Sequence, residues 1–373
     1  METVALVKCG GYEHPMIKDA VRRVVDLLGG IEGFVGTGEQ VLVKPNMLKA
    51  DSPDAAVTTH PEILRSVIGL LKEAEARVIV GDSPGIGDIR HVAERSGILS
   101  VVRDTGANLA DFSEAVSVRS GGRFQHFEIA RAVQEADAII NLPKLKTHGM
   151  TVLTGAVKNL FGCIPGKRKV QWHFNTGINH QAFALMLLEL ATLLRPRLTI
   201  MDAVIGMEGN GPGSGDPRKI GVLIGGRDPV AVDVVASAVV GVAPGSLPII
   251  DAAARAGIGT SRLDRIRLVG DPLQEVAIKD FRLPPRTHTE WPLPEWMRRG
   301  LKDALTTRPV IDQRSCVRCG ICRYDCPQHA IKETREGLHI DHRQCIRCFC
   351  CQEFCPQGAV TVGKGWLLTL IDR

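Results

Sequence analysis

Nine of the eleven cysteines fall into two runs, CVRCGICRYDCP from Cys316 to Pro327 and CIRCFCCQEFCP from Cys345 to Pro356. Both runs fit C-x2-C-x2-C-x3-C-P. Three thiolates spaced two residues apart, a fourth three residues on and a proline after it is the ligand spacing of iron-sulfur cubanes. Zinc sites use separated C-x2-C pairs without a third cysteine at a fixed offset. Two copies of the run predict two 4Fe-4S clusters, and with them electron transfer.

These runs, over roughly residues 311 to 362, resemble the dicluster bacterial ferredoxins. The resemblance implies a crossed ligand set in which the last cysteine of each run reaches the other cluster. Cluster I would take Cys316, Cys319, Cys322 and Cys355, and cluster II Cys345, Cys348, Cys351 and Cys326. Cys350 reads as a packing thiol. Acidic and basic residues nearly balance in this region, unlike the strong acidity of a free ferredoxin, which favours internal wiring. A ferredoxin or similar redox donor protein is the expected partner.

A second set of reactive side chains lies in LPKLKTHGMTVLTGAVKNLFG, Leu142 to Gly162. Ammonium groups from Lys44, Lys144, Lys146 and Lys158 would converge on a small anion such as a carboxylate or phosphate, because like charges need an anion or facing carboxylates. Asn46, Thr147 and Asn159 would orient it by hydrogen bonds. His148 is the natural proton donor, since an ordinary imidazole titrates near about 6.5. Lys158 and Asn159 are expected about three turns into a helix that follows Thr147-His148. Asp202, Glu208 and Asn210 could line the same site, orienting a lysine or offering oxygen ligands to a cation, against ordinary turn and capping roles.

The elements that must position these residues alternate between short β-branched runs and helical ones up to about residue 270. Strands are expected at VALV (4–7), VLVK (41–44), RVIV (77–80), AIINL (138–142), LTIMD (198–202), GVLIG (221–225) and IRLV (266–269). Ile17, Val21, Val24 and Leu28 share one helical face, and PEILRSVIGLLKEAEA starts a helix with proline in its first turn. Lys44-Pro45-Asn46, Gly81 to Pro84, Lys144 to His148 and Asp202 to Asn210 each come just after a predicted strand, the edge where open α/β sheets bind ligands. The expected class is α/β, a mostly parallel doubly wound sheet over 1–280. A Pro/Trp-rich linker with a short helix, EWMRRGLKDAL, would fill 281–310, and a small α+β ferredoxin-like domain 311–373.

Weaker features are expected to be structural. Gly162 to Arg168 lacks the four-residue spacing of a phosphate loop, and EGNGPGSGDP precedes a strand rather than a helix, so it reads as a mobile lid or turn. Neither supports a nucleotide. A flavin could be accommodated, since several flavin folds lack a short fingerprint, but it has no sequence warrant. Asp228 reads as an N-cap. Asp233, in an apolar helix, needs a partner. Cys9 and Cys163 read as buried hydrophobes, and His173 and His180 as structural rather than metal-binding.

With 44% hydrophobic and 23% charged residues, the 373-residue chain is that of a folded protein. A diffuse net charge of +5 argues against nucleic-acid binding. The N-terminus lacks a secretory core. AFALMLLELATLL is too short to span a bilayer and reads as a core helix. A reducing cytoplasm is expected, and the chain could form a homodimer.

In this order LVKPNML, GDSPG, NLPKLKTHGMTVLTGAVKNLFGCIPG, MDAVIGMEGNGPGSG and RDPVAVDVVAS, followed by the dicluster module, resemble a widespread prokaryotic family, domain of unknown function 362. The resemblance covers roughly residues 1 to 270 and implies iron-sulfur redox chemistry without naming a substrate. An oxidoreductase, reducing an unsaturated or aromatic acid, is the first expectation. An electron-transfer adaptor without chemistry of its own is the second. A maturation factor using Asp202, Glu208, His173 or Cys163 as transient metal ligands is the third.

Overall fold

The computed structural model describes residues 1–166, 168–176, 180–284 and 307–363, without the side chains of 174 and 175. The expected helix EWMRRGLKDAL and most of the Pro/Trp-rich segment lie outside them. All seven predicted strands form. The strands are β1 (Glu2–Lys8), β2 (Gln40–Pro45), β3 (Arg77–Val80), β4 (Asn108–Leu109), β5 (Ala115–Arg119), β6 (His126–Ala130), β7 (Ala138–Leu142), β8 (Lys144–His148), β9 (Val152–Thr154), β10 (Leu198–Glu208), β11 (Asp216–Gly226) and β12 (Ile266–Gly270).

One ten-stranded sheet has the order β12-β1-β11-β10-β7-β2-β3-β4, with β8 on β10 and β9 on β8. Pairings from β10 through β7, β2 and β3 to β4 are parallel, whereas β11 runs antiparallel to both neighbours. Buried on both faces, a parallel strand sends alternate side chains into two cores. Val41 and Val43 join one core with Ile17, Val21 and Val24 of helix His14–Leu27, while Leu42 enters the other with Phe183 and Leu187. The latter two belong to helix His180–Leu194, the expected core helix. No helix among the described residues is long and apolar enough to cross a membrane.

Lys144 to His148 follows strand β7 as expected and itself forms strand β8; only Pro143 separates the two, and both pair with β10. Two local expectations are overturned. Asp202 to Glu208 is the second half of β10, and Gly209 to Gly215 turns the chain into β11. Lys158 and Asn159 end a one-turn helix, Ala156–Asn159, reached through the β8–β9 hairpin rather than along a long helix.

Asp233 finds its partners at that short helix. Asp228 caps helix Pro229–Val239 as expected, accepting from Val230 N at 2.8 Å. One turn in, the Asp233 carboxylate accepts from Ala156 N at 2.6 Å and Val157 N at 3.1 Å. Burial pushes Asp233 up to about 7 despite these donors.

The C-terminal domain is built on two hairpin-like pairs, β13 (Arg308–Ile311) with β16 (Val360–Gly363) and β14 (Ile331–Thr334) with β15 (Gly337–Ile340). Its cysteine runs repeat in backbone as well as sequence. Arg318 and Arg347 share φ of 55° and 57°, and the one-turn helices Ile321–Tyr324 and Cys350–Glu353 follow at the same offset.

A Cβ at Gly155 would overlap Asp233 Oδ1. Gly155→Ala should therefore destabilise the protein by about 1–3 kcal/mol, as overpacked cores do; a urea midpoint equal to wild type would show that the Asp233 cap is dispensable.

Candidate functional site

The alternation K-L-K-T-H places Lys144, Lys146 and His148 on one face of β8 and Leu145 in the core behind it. All three polar side chains are buried, as are Lys44, Lys158 and Lys169, none more than 8% exposed. A buried ammonium needs a counter-ion or full hydrogen bonding. Most of these have one. Lys144 Nζ lies 2.8 Å from Asp202 Oδ2 and donates to Tyr12 Oη at 2.9 Å. Tyr12 in turn donates to Asp202 Oδ1 and stacks on His60. Lys44 Nζ pairs with Asp82 at 2.8 Å. Gly162 allows this close approach, since a Cβ there would overlap Asp82 Oδ1.

Asparagines connect the lysines. Asn159 Oδ1 accepts from Lys44 Nζ at 3.2 Å and Asn46 Nδ2 at 3.0 Å, and its amide donates to Asn141 Oδ1. Asn46 Oδ1 then accepts from Lys146 Nζ at 3.0 Å, whose other partner is the Val57 carbonyl at 2.7 Å. Lys146 therefore meets two neutral acceptors and no carboxylate. Burial, reinforced by Lys158, pulls it well below the usual lysine range. Lys169 is similar, bonded to Ser83 and the Pro84 carbonyl and brought down by burial to about 8.

The carboxylate beside Lys158 comes from the other domain. Glu353, between Cys351 and Cys355, places Oε1 3.3 Å from Lys158 Nζ and Oε2 3.9 Å from His148 Nε2. Burial alone would raise Glu353, but Lys158, His148 and His173 outweigh it and hold it well below the usual carboxylate range. The module fits closely here: a Cβ on Gly149 would sit 2.5 Å from Gln352 Oε1. Gln352 Nε2 also donates to Asn210 Oδ1.

His148 Nδ1 accepts the Met150 and Thr151 N–H groups at 2.9 and 3.3 Å. That assigns its proton to Nε2 in the neutral ring. Burial and Lys158 bring it to about 4, so the expected donor with an ordinary pKa is instead a neutral imidazole at pH 7. His173, stacked on Phe183, is brought to about 3 by burial and Lys158.

Other expected site residues are committed elsewhere. Thr147 Oγ1 accepts from Gly211 N, and Glu208 pairs with Arg282 at 2.8 Å, away from the lysines. Asp202, Glu208 and Asn210 do not gather around a cation; among the described residues no three His, Cys, Asp or Glu side chains surround a single-ion position. Cys163 is buried and pushed to about 12, chiefly by burial, as a packing thiol would be. Sequence reading missed Asp82, Tyr12, Lys169 and Glu353.

The cysteines of the two runs lie near one another, and four sulfur donors are what an iron-sulfur cubane takes. Cys316, Cys319, Cys322 and Cys355 line one cavity with Leu338 and Val360. Burial and the charges of Cys355, Cys319 and Cys316 push Cys322 up to about 11. Cys351 is raised by burial and by Cys348, Cys345, Cys322 and Cys326. Backbone N–H groups of Ala330, Arg347 and Ala359 point at the sulfurs of Cys326, Cys345 and Cys355 at 3.2–3.3 Å. Cys350 is buried with Phe161 and Cys163, its thiol hydrogen-bonded to Cys348.

Residues 41–238 match the family model of a domain of unknown function (DUF362), and 308–356 match a 4Fe-4S dicluster domain, the basis of iron-sulfur electron transfer. A thylakoid-associated protein of Synechocystis sp. is 34% identical over 284 residues, 76% of this chain and 88% of its own length. The apoprotein of lactate racemase from Thermoanaerobacterium thermosaccharolyticum aligns over 61% of this chain and 54% of its own, with 12% identity and a TM-score of 0.39.

Burial lowers His60 and His148 to about 4 and His173 to about 3. Unfolded, they would titrate near about 6.5 and bind protons that the folded chain refuses. The stability tied to these histidines is thus intact above pH about 6.5 and falls as pH drops toward about 4, outweighing the opposite contribution of the single raised carboxyl of Asp233. Thermal unfolding followed by circular dichroism should show the melting temperature falling across that window. His173→Phe, which keeps the ring stacking, should flatten the slope.

Proposed function

This chain belongs to the family of domain of unknown function 362, and from that premise we propose that it is an iron-sulfur oxidoreductase, a reductase that passes electrons from two 4Fe-4S clusters to a small anionic acceptor. Lys146, Lys158 and His148 are the acceptor site, and unsaturated or aromatic acids the substrate class. The observation that carries this reading is Glu353. It joins the ligand-bearing loop of the second cysteine run directly to Lys158 and His148. When bound, the clusters supply electrons singly.

The residues then divide the work. Lys146, without a carboxylate partner, is where an anionic group gains most, because an unscreened charge in a dry site interacts strongly. Asn46 holds it, and Asn159 ties Asn46 to Lys44. His148 keeps its proton at Nε2, on the side facing Glu353 and Lys158, and donates it as a neutral imidazole. Lys144 and Asp202 position β8 and take no part in the chemistry. A one-electron donor protein would dock at the exposed Cys319 side.

A second reading, an adaptor without chemistry of its own, is favoured by the pairing of Lys44, Lys144 and Lys158 with carboxylates of the chain itself. The two separate on one experiment. Dithionite-reduced protein is offered a panel of unsaturated and aromatic acids. Wild type should reduce at least one, and Lys146→Ala and His148→Ala should lose that activity by about 100-fold or more while keeping cluster absorbance. Full activity in both variants would sink the site. Reduction of no acid by wild type would favour the adaptor.

A further inference from the structure

We propose that the buried lysines of the α/β domain are the fixed counter-charge of the inner iron-sulfur centre, held by Cys345, Cys348, Cys351 and Cys326, and that they drive electrons inward from the outer set, Cys316, Cys319, Cys322 and Cys355. The inference rests on the two-cluster reading above, and is independent of the acceptor.

The first argument is charge. Besides Lys49, which pairs with Asp51 at 3.2 Å, five buried lysines, Lys44, Lys144, Lys146, Lys158 and Lys169, face three carboxylates, Asp82, Asp202 and Glu353. Two ammonium groups, on Lys146 and Lys169, are left with neutral acceptors only. A closed interior does not tolerate such an excess without an anion. A cubane held by four thiolates is a net anion, and its charge is one of the determinants of its potential. It becomes more negative on reduction, so fixed positive charge beside it favours the reduced state.

The second argument is position. Cys348 and Cys350 lie in the same buried core as Phe161, Cys163 and Ile164, next to the helix that carries Lys158. Glu353, two residues from both Cys351 and Cys355, lies 3.3 Å from Lys158, and a Cβ on Gly85, next to the Pro84 carbonyl that binds Lys169, would sit 3.4 Å from Phe354. The outer set, although Cys322 and Cys355 are themselves buried, has no buried lysine paired beside it among the described residues. Cys319 is exposed, and nearby Arg323 is tied to Glu333 at 2.7 Å with both side chains about half in water, where charge is screened.

The two cysteine runs supply an internal comparison. At the offset of Glu353 in the second run the first run carries Tyr324, which is 74% exposed. Equivalent ligand sets thus sit in unequal fields, and the inner centre should have the higher potential. One electron leaves the outer centre as one enters the inner, without a bond made or broken. A one-electron donor protein on the Cys319 side replaces it.

The test uses the intact holoprotein, with iron and sulfide analysis and a redox titration followed by electron paramagnetic resonance. Wild type should give two potentials. Lys146→Met and Lys169→Met should each lower the higher one and leave the other in place. Glu353→Gln, which removes a negative charge from the same spot, should raise it, and Lys18→Met on the exposed face should change neither. Unmoved potentials in Lys169→Met and Glu353→Gln, or a fall in Glu353→Gln, would overturn the inference even if Lys146→Met loses its clusters. Iron and sulfide for a single cluster would instead remove the two-cluster reading on which it rests.

Discussion

The contact between Glu353 and the Lys158–His148 pair constrains everything around it. A carboxylate on a cysteine-bearing loop is buried in another domain, 3.3 Å from one cation. Breaking such a pair by moving the domains apart would leave a charge stranded on each side, a loss of several kcal/mol in buried pairs generally. The seam is accordingly bare of bulk where the loop enters, at Gly149, and the hairpin beneath is braced by the His148 ring. Val152, a β-branched residue at φ 66°, takes up the tight return into β9. That conformation is uncommon for a branched side chain and persists only where surroundings enforce it.

The lysine face is also an answer to sheet geometry. A strand buried on both sides has nowhere to send a polar side chain except into a partner. Lys144 and Asp202 are register neighbours on β8 and β10, so their pairing follows from the ladder itself. The pair contributes little net stability, because desolvation offsets most of the attraction. Its effect is to specify the register of β8, since a one-residue slip would turn Lys144, Lys146 and His148 into the opposite core.

The β-branched runs were legible because each strand repeats the same local preference, and the cysteine spacing because ligand geometry is local. The polar face of β8 was less so. Pro143 and Gly149, which flank KLKTH, suggest a turn, although the alternation Lys144, Lys146, His148 is itself a strand signal at period two. The one-turn helix at Lys158 was misread because Val152 to Thr154 is too short a run to declare a strand. Glu353 carried no signal at all. Within CQEFC it looks like any solvated helix residue, and only docking of the two domains makes it a buried ion. Asp82 lay in a quoted turn, GDSPG, but its partner Lys44 is distant in sequence and is brought beside it by the parallel pairing of β2 with β3.

The two cysteine runs share one spacing and one local backbone. They differ at six of twelve positions, and at one of these Tyr324 is turned to water while Glu353 meets Lys158. A module whose two halves were alike would have nothing to tell its ends apart. Docking only one half against the lysine face gives it a front and a back, as a plug differs from the wire it terminates, while the ligand spacing of both halves stays the same.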